Sequence, residues 1–111
     1  MKDVESLVNR VRERFSSTPG VEEKRMFGSI VFMVNGKLCV SARDSRIMCR
    51  VDPLESNDLV RKKGCSFMKM KGREYKGYVV VDEGVVRTES ELGYWIGLAL
   101  KYNRRAKDST K

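Results

Sequence analysis

Residues 30–42 read IVFMVNGKLCVSA, two β-rich runs separated by Asn35-Gly36. A two-residue hairpin turn of this kind needs positive φ at both central positions, which Asn and Gly adopt at low cost. The pattern therefore predicts two antiparallel strands joined at this turn. Alternation along the strands, continued through a second turn at Asp44-Ser45, predicts one shared sheet face. This face is expected to carry Val31, Met33, Leu38, Val40, Ile47 and Cys49.

The opposite face of the same strands is predicted to carry apolar and charged residues together, namely Ile30, Phe32, Val34, Cys39, Met48, Lys37, Arg43, Arg46 and Arg50. The first three of these are too apolar to stand in water, so a helix of this chain or a second subunit must cover them. We favour the internal helix. Because Cys39 and Cys49 would point to opposite sides, we expect no disulfide between them.

Helices are predicted before and after the strands. Apolar spacing indicates a first helix over residues 3–16, and the Asp52-Pro53-Leu54-Glu55 start indicates a second that ends in Arg61-Lys62-Lys63 before a left-handed Gly64. The Thr88-Glu89-Ser90-Glu91 capping box begins a third helix, which is expected to extend to about residue 106. On it, Gly93 and Gly97 would allow close approach to the sheet.

Two more strands, over residues 66–70 and 78–82, are predicted to form a hairpin through the basic stretch 71–77. The predicted fold is therefore α+β, with a mainly antiparallel sheet, a four-strand meander plus a hairpin, flanked by N-terminal, middle and C-terminal helices. At 111 residues the chain is expected to form one domain over residues 1–106, followed by a basic flexible tail over 107–111.

The composition excludes several classes of enzyme and metal site. The chain has no histidine, which excludes Ser-His-Asp and Cys-His catalysis and every zinc site that uses histidine. Its three cysteines lack a C-x-x-C pair, and we interpret them as reduced core residues. We expect no cofactor, no metal and no catalytic residue. Neither a signal peptide nor an apolar run of roughly 18 residues is found, so a cytoplasmic location is expected.

The formal net charge of +8 is concentrated in two segments. Residues 60–76 carry +6, from seven cations and one glutamate, and residues 101–111 carry +4, from five cations and one aspartate. A surface for nucleic acid or an acidic partner is predicted at Arg61, Lys62, Lys63, Lys69, Lys71, Arg73, Lys76, Lys101, Arg104 and Arg105. The alternative, which we favour, is that these cations bind no partner. In that interpretation they lie at a helix end, on an edge strand that lysines protect from aggregation, and in a solvated tail.

Two enzyme interpretations are weaker. Cys65 follows Lys62-Lys63-Gly64, which could lower its pKa, but a buried strand cysteine explains it better. Asp82 and Glu83 close a strand before Gly84 and are better interpreted as turn formers than as an acid and base pair.

Ordered motifs resemble a known family. They are KRMFG at 24–28, VFMVNGKLC at 31–39, the strand and turn at 44–51, the Met-x-x-x-Gly hairpin with its Lys-Gly turn at 68–77, and the tryptophan-bearing helix at 92–99. Together they resemble the N-terminal domain family of TfoX/Sxy, regulators of bacterial competence, over roughly residues 4–106. The family-signature positions are Arg25, Met26, Phe27, Gly28, Gly36, Gly77 and Trp95. We interpret Met26 and Phe27 as core residues and Gly28 as a bulge or kink.

The resemblance implies a non-enzymatic regulatory domain that acts through protein–protein contact, with a transcription regulator as its partner. The alternative is direct, weakly sequence-selective nucleic-acid binding through residues 60–76 and 101–111, although the sequence carries no recognisable base-reading motif. No membrane partner is expected, and the chain is predicted to be a monomer or a weak homodimer.

Overall fold

Three helices and six strands are found in the computed structural model, which describes residues 3–26, 28–43 and 45–106. In chain order they are α1 (Asp3–Arg14), β1 (Val21–Met26), β2 (Ser29–Val34), β3 (Lys37–Ala42), β4 (Arg46–Arg50), α2 (Pro53–Leu59), β5 (Cys65–Met70), β6 (Arg73–Asp82) and α3 (Glu89–Asn103), with a short 3-10 helix at Glu83–Val85. The predicted α+β class is confirmed. The predicted tail over 107–111 lies outside the described residues.

The six strands form one antiparallel sheet in the order β1-β2-β3-β4-β6-β5. The four-strand meander and the separate hairpin are both as predicted. The hairpin joins the meander through β6, whose Val81 pairs with Ile47 of β4. Strands β1 and β5 therefore form the two edges of the sheet.

The hairpin at Asn35-Gly36 is confirmed, with φ of 53° and 79° at its two central residues. Its register contains a β-bulge that the alternation of residues in the sequence does not predict. Met33 pairs with Leu38, but Phe32 pairs with Val40, so one residue of β3, Cys39, has no partner on β2. An extra residue of this kind shifts the alternation of side chains by one position.

The predicted shared face is therefore wrong. Val40, Ile47 and Cys49 lie in the core, whereas Val31 and Leu38 line the opposite side of the sheet, together with Met33, the register partner of Leu38. Cys39 is in the core with Cys49, so the two thiols do not point to opposite sides. All three cysteines are free. The predicted pairing of neighbouring strands is nevertheless correct, because it depends on the turns and not on which residues of a strand point to which face.

Helices cover the face that carries Phe32 and Val34, as predicted. Phe32 is fully buried, and its ring stacks on that of Phe15 with centroids 5.3 Å apart. Side chains of α1, α2 and α3 join one core cluster with β2, β3, β4 and β6, and Trp95 of α3 is among them. Burying a side chain such as Phe32 contributes about 1.5–3 kcal/mol. All three helices therefore pack on one face of the sheet.

Helix α2 is shorter than predicted. Its last residue is Leu59, and Arg61 and Lys62 follow in tight turns whose N–H groups bond to Asp58 and Leu59 carbonyl oxygens. The three successive cations thus lie beyond the helix and do not form its last turn. Gly64 does adopt the predicted left-handed conformation, with φ +83°, in the turn that enters β5.

Other predictions about turns and glycines also need correction. The β5–β6 turn is only Lys71-Gly72, so most of the predicted 71–77 connection belongs to β6. Gly93 faces the Arg14 guanidinium of α1 and not the sheet, because a Cβ built there would lie 2.8 Å from Arg14 Nη2. Gly97 is exposed, with no other group within 4 Å of such a Cβ. The capping box of Thr88 and Glu91 is confirmed.

Candidate functional site

A groove of about 640 Å³ occupies the sheet face opposite the helices. Its apolar lining side chains include Met26, Val31, Leu38, Met48, Met68, Met70 and Val80. In the part of the chain that the structure describes, no helix packs over this face. The molecule therefore presents an open apolar surface that its own core does not need.

Methionine dominates this groove, with four of the six methionines of the chain in its lining. Met26 and Met70 are well exposed, at 41% and 51%. Methionine side chains are flexible and polarizable, so a surface rich in them can adjust its shape to an apolar partner. The groove has the composition of an adaptable binding surface.

Two irregularities in the strands shape the groove. The bulge at Cys39 leaves Val31 and Leu38 on the groove side. In the hairpin, Phe67 pairs with Val79 but Met68 pairs with Tyr75, so three extra residues, 76–78, bend β6. Beyond this bend Met68, Lys69 and Met70 all line the groove, although successive residues of a flat strand alternate between faces. The tip of the hairpin is therefore turned toward the groove.

Charges on the groove lining are mostly positive. Arg43, Arg46 and Lys69 are the three cations, and Asp82 is the one carboxylate among the lining residues that the structure describes. All four side chains are exposed. Among the described residues, no carboxylate forms an ion pair with any of these three cations. Within the lining that the structure describes, the groove thus combines an apolar floor with an excess of positive charge.

The ten basic residues singled out in the sequence are all exposed, but they lie in three places. Arg61, Lys62 and Lys63 lie between α2 and β5; Lys69, Lys71, Arg73 and Lys76 lie on the hairpin; Lys101, Arg104 and Arg105 lie at the end of α3. Lys69 faces the groove, whereas the Lys62 ammonium lies over the Tyr94 ring of α3, 5.8 Å from its centroid, on the helix side. The set is divided between two sides of the sheet.

Arg50, which the charge summation did not single out, links the hairpin to α3. Its guanidinium lies 5.6 Å from the centroid of the Tyr78 ring and 5.9 Å from that of Tyr102. Arg105 lies 5.3 Å from the Tyr102 centroid on the same helix end. In the sequence, Tyr78 lies two residues after the basic segment 60–76 and Tyr102 lies within the segment 101–111, and the structure shows both rings in contact with cations.

Arg105 has a structural role at the start of α2. Its guanidinium donates a hydrogen bond to the Asp52 carboxylate at 2.7 Å, and Asp52 also accepts from the Leu54 backbone N–H at 2.9 Å as the helix cap. The hydrogen bond from Arg105, more than the one from Leu54, holds the pKa of Asp52 below its usual value. Arg105 is thus partly neutralised where it lies.

The cysteines are poor nucleophiles in this fold. Burial raises the pKa of Cys39 to about 12 and raises the pKa of the fully buried Cys49 as well. Burial also raises the pKa of Cys65, and the nearby Lys62 offsets only part of this effect. Cys65 lies in strand β5 as predicted, but it is half-buried at the side of the core and not buried within it. Among the described residues, no group of three or more Cys, Asp or Glu side chains could hold a metal ion.

A comparison with protein families shows which family the chain belongs to. The family model described as the TfoX N-terminal domain matches residues 13–102, from the last two residues of α1 to the penultimate residue of α3. The chain belongs to the TfoX N-terminal domain family. Membership in this non-catalytic regulatory family suggests a role in the regulation of competence. No curated protein matches the chain. None of the helices in the described residues of this TfoX N-terminal domain is long and apolar enough to cross a membrane.

The signature residues of this TfoX N-terminal domain lie in turns, in the core and at the groove. Trp95 is buried in the core. The core interpretation of Met26 is wrong, because this side chain is exposed at the groove. Gly28, with φ +79°, lies in the β1–β2 turn and is not a bulge within a strand. Phe27 lies outside the described residues.

The remaining signature residues also have clear places. Gly36 forms the β2–β3 turn with φ +79°, and Gly77 lies in the bend of β6 with φ +90°. Arg25 is exposed on the edge strand β1. Two of the three left-handed signature glycines thus form turns, and the third shapes the hairpin that borders the groove.

Proposed function

We propose that this TfoX N-terminal domain is a non-enzymatic regulatory module that acts by binding another protein through the groove. The observation that carries the proposal is the open face with four methionines in its lining. Exposed apolar surfaces of this kind mark interaction sites, and methionine is enriched at protein interfaces. The described lining supplies one carboxylate, and the chain has no histidine, which suits contact better than acid and base chemistry. Family membership supports a transcription regulator of competence genes as the partner.

The groove is tested with charge placed on its two most exposed methionines. The variant Met26→Glu/Met70→Glu puts carboxylates into the apolar surface at positions that the core does not need. We expect it to lose activation of a competence-gene reporter in the source organism. Leu54→Glu is the matched control, because Leu54 is 87% exposed on α2, away from the groove, and should retain activation. Full reporter activity of the double variant would contradict the proposal.

Direct nucleic-acid binding is a second candidate, supported by the contacts of Arg50 with Tyr78 and Tyr102. Proteins that bind single-stranded nucleic acid stack its bases on aromatic rings and contact its phosphates with cations. The guanidinium of Arg50 and the rings of Tyr78 and Tyr102 are groups of these two kinds in contact with each other. Fluorescence anisotropy with labelled single-stranded and duplex DNA should show affinity that falls steeply from about 50 to about 200 mM salt.

The charge-reversal variant for this test is Lys62→Glu/Lys71→Glu/Arg104→Glu, which should abolish DNA binding. These positions leave the Arg105 contact with Asp52 intact. Absence of binding by the wild-type domain at about 50 mM salt would remove this candidate.

A further inference from the structure

We infer that the groove binds an α-helical segment of its partner, amphipathic, with acidic side chains on both sides of an apolar stripe. The inference rests on the proposed function, because it specifies what occupies the same groove. Three features of the structure carry it: the hydrogen-bonding state of the sheet face, the methionine floor and the position of the cations.

The occupant should be a helix because the groove is a sheet face and not a sheet edge. Backbone groups of β3, β4 and β6 are paired on both sides within the six-stranded sheet. An extended segment laid across their side chains would leave its own N–H and C=O groups against methionine, at a cost of several kcal/mol. A helix satisfies these groups internally. Extended segments are instead expected at the edge strands β1 and β5.

The methionine floor matches an apolar stripe on one face of such a helix. A helix that lies in a groove contacts it through residues spaced i, i+3, i+4 and i+7. Met48, Val31 and Leu38 lie on central strands of the floor, whereas Met26 and Met70 lie on the two edge strands. Flexible side chains at the two borders can close around a stripe of leucine or isoleucine.

The cations determine the charge of the helix and its direction. Arg43 follows β3, Arg46 begins β4 and Lys69 lies on β5. Three strand spacings separate β3 from β5, about 14 Å at the usual spacing. A helix is about 10–12 Å wide, so one that runs along the strands would have cations on both sides. Glutamate or aspartate beside the apolar stripe would meet these cations, and Asp82 is the only carboxylate on the described lining to oppose them.

The test uses three labelled helical peptides and the full chain. The first has leucines at i, i+3, i+4 and i+7 flanked by glutamates, the second has lysine in place of each glutamate, and the third has the composition of the first with its leucines dispersed. Fluorescence anisotropy should show that the glutamate peptide binds at least about tenfold more tightly than the other two. Higher salt should weaken its binding.

Variants locate the binding and its charge preference. Arg43→Glu/Arg46→Glu should weaken the glutamate peptide by about tenfold or more and favour the lysine peptide. Met26→Glu/Met70→Glu should abolish binding of the glutamate peptide, and Leu54→Glu should leave it unchanged. Circular dichroism and urea unfolding confirm that each variant is folded. Undiminished binding by the methionine variant would overturn the inference, because the peptide would then bind elsewhere.

Failure of this inference is distinguishable from failure of the proposed function. Equal binding of the glutamate and lysine peptides, or no binding of any helix, would overturn the inference. The proposed function would still stand if Met26→Glu/Met70→Glu lost the reporter response. Retention of that response would overturn both, since the groove would then have no role.

Discussion

The backbone N–H of Gly77 donates a hydrogen bond to the hydroxyl of Ser56 at 3.2 Å, which ties the bend of β6 to α2. Ser56 is buried, and its hydroxyl donates in turn to the Pro53 carbonyl oxygen at 2.8 Å. The Gly77 carbonyl oxygen accepts a hydrogen bond of 2.7 Å from Val51 N–H. These contacts hold the base of the hairpin whose tip borders the groove.

Gly77→Ala should destabilise the domain by more than about 1 kcal/mol. The residue has φ +90°, and an added Cβ would lie 3.2 Å from both the Pro53 side chain and the Val51 carbonyl oxygen. Strain and crowding therefore act in the same direction. Urea denaturation followed by circular dichroism measures the free energy of unfolding.

Gly97→Ala is the matched control for this substitution. Gly97 lies in α3 with nothing within 4 Å of an added Cβ, so alanine should stabilise the helix by about 0.5–1 kcal/mol. A similar change in the free energy of unfolding for both variants would contradict the role assigned to Gly77.

Ser56→Ala should cost about 1–3 kcal/mol because it leaves the buried N–H of Gly77 without a partner. Native-state hydrogen exchange of the Gly77 amide should accelerate more than that of amides in α1. Unchanged protection at Gly77 would show that Ser56 does not hold the bend.

Phe32→Ala should lower the free energy of unfolding by about 3–5 kcal/mol, because Phe32 is fully buried and stacks on Phe15. Leu54→Ala, at an exposed position of α2, should change it by less than about 0.5 kcal/mol. Urea midpoints at a constant m-value provide the comparison. A loss below about 1 kcal/mol for Phe32→Ala would show that this contact is not central to the core.

Acid should destabilise the domain partly through Asp52. Because Arg105 lowers the folded-state pKa of Asp52, the carboxylate contributes stability above its ordinary pKa near 3.8, and this is lost as pH falls toward the lower folded-state value. Asp52→Asn should lower the melting temperature at neutral pH and reduce the further loss between about pH 5 and about pH 2.

Asparagine can still cap α2, whereas alanine cannot. Asp52→Ala should therefore melt at a lower temperature than Asp52→Asn at neutral pH. Identical acid profiles of the wild-type and Asp52→Asn proteins would contradict the contribution of the Arg105 contact.

Thiol reactivity should separate the three cysteines. Cys39 and Cys49 are buried with raised pKa values, so they should resist an aromatic disulfide reagent at about pH 8, whereas the partly exposed Cys65 should react slowly. Denaturant should expose all three. Cys65→Ser should remove the native-state reaction, and rapid reaction of two or more thiols in the folded protein would contradict the described burial.

Local signals in the sequence predicted most of the fold because each depends on a few neighbouring residues. Asn35-Gly36 specifies its turn through backbone conformation, and Thr88 with Glu91 specifies a helix start through reciprocal hydrogen bonds. The bulge at Cys39 has no such signal, since a strand residue without a register partner on the neighbouring strand looks the same in the sequence as one with a partner. The assignment of side chains to faces therefore failed although the strands were correct.

The groove was harder to predict than the fold. Met26, Met48, Met68 and Met70 belong to three strands, β1, β4 and β5, and only the sheet order and the bend of β6 bring them to one lining. Lys69 belongs to a segment with a large positive total, whereas Arg43 and Arg46 belong to a segment whose charges cancel, and such totals do not record which face a residue occupies. Arg50 was missed for the same reason.

The extra residue at Cys39 also determines what a deletion in β3 would do. Leu38 and Val40 already lie on opposite sides of the sheet, so removing Cys39 would make them neighbours in a regularly alternating strand with the same partners on β2. Leu38 would stay in the groove lining, and Lys37 would keep the hydrogen bond of 2.7 Å from its ammonium to the Asn103 carbonyl oxygen. A single codon deletion at this position would thus cost the interior one buried thiol and leave the recognition surface in place.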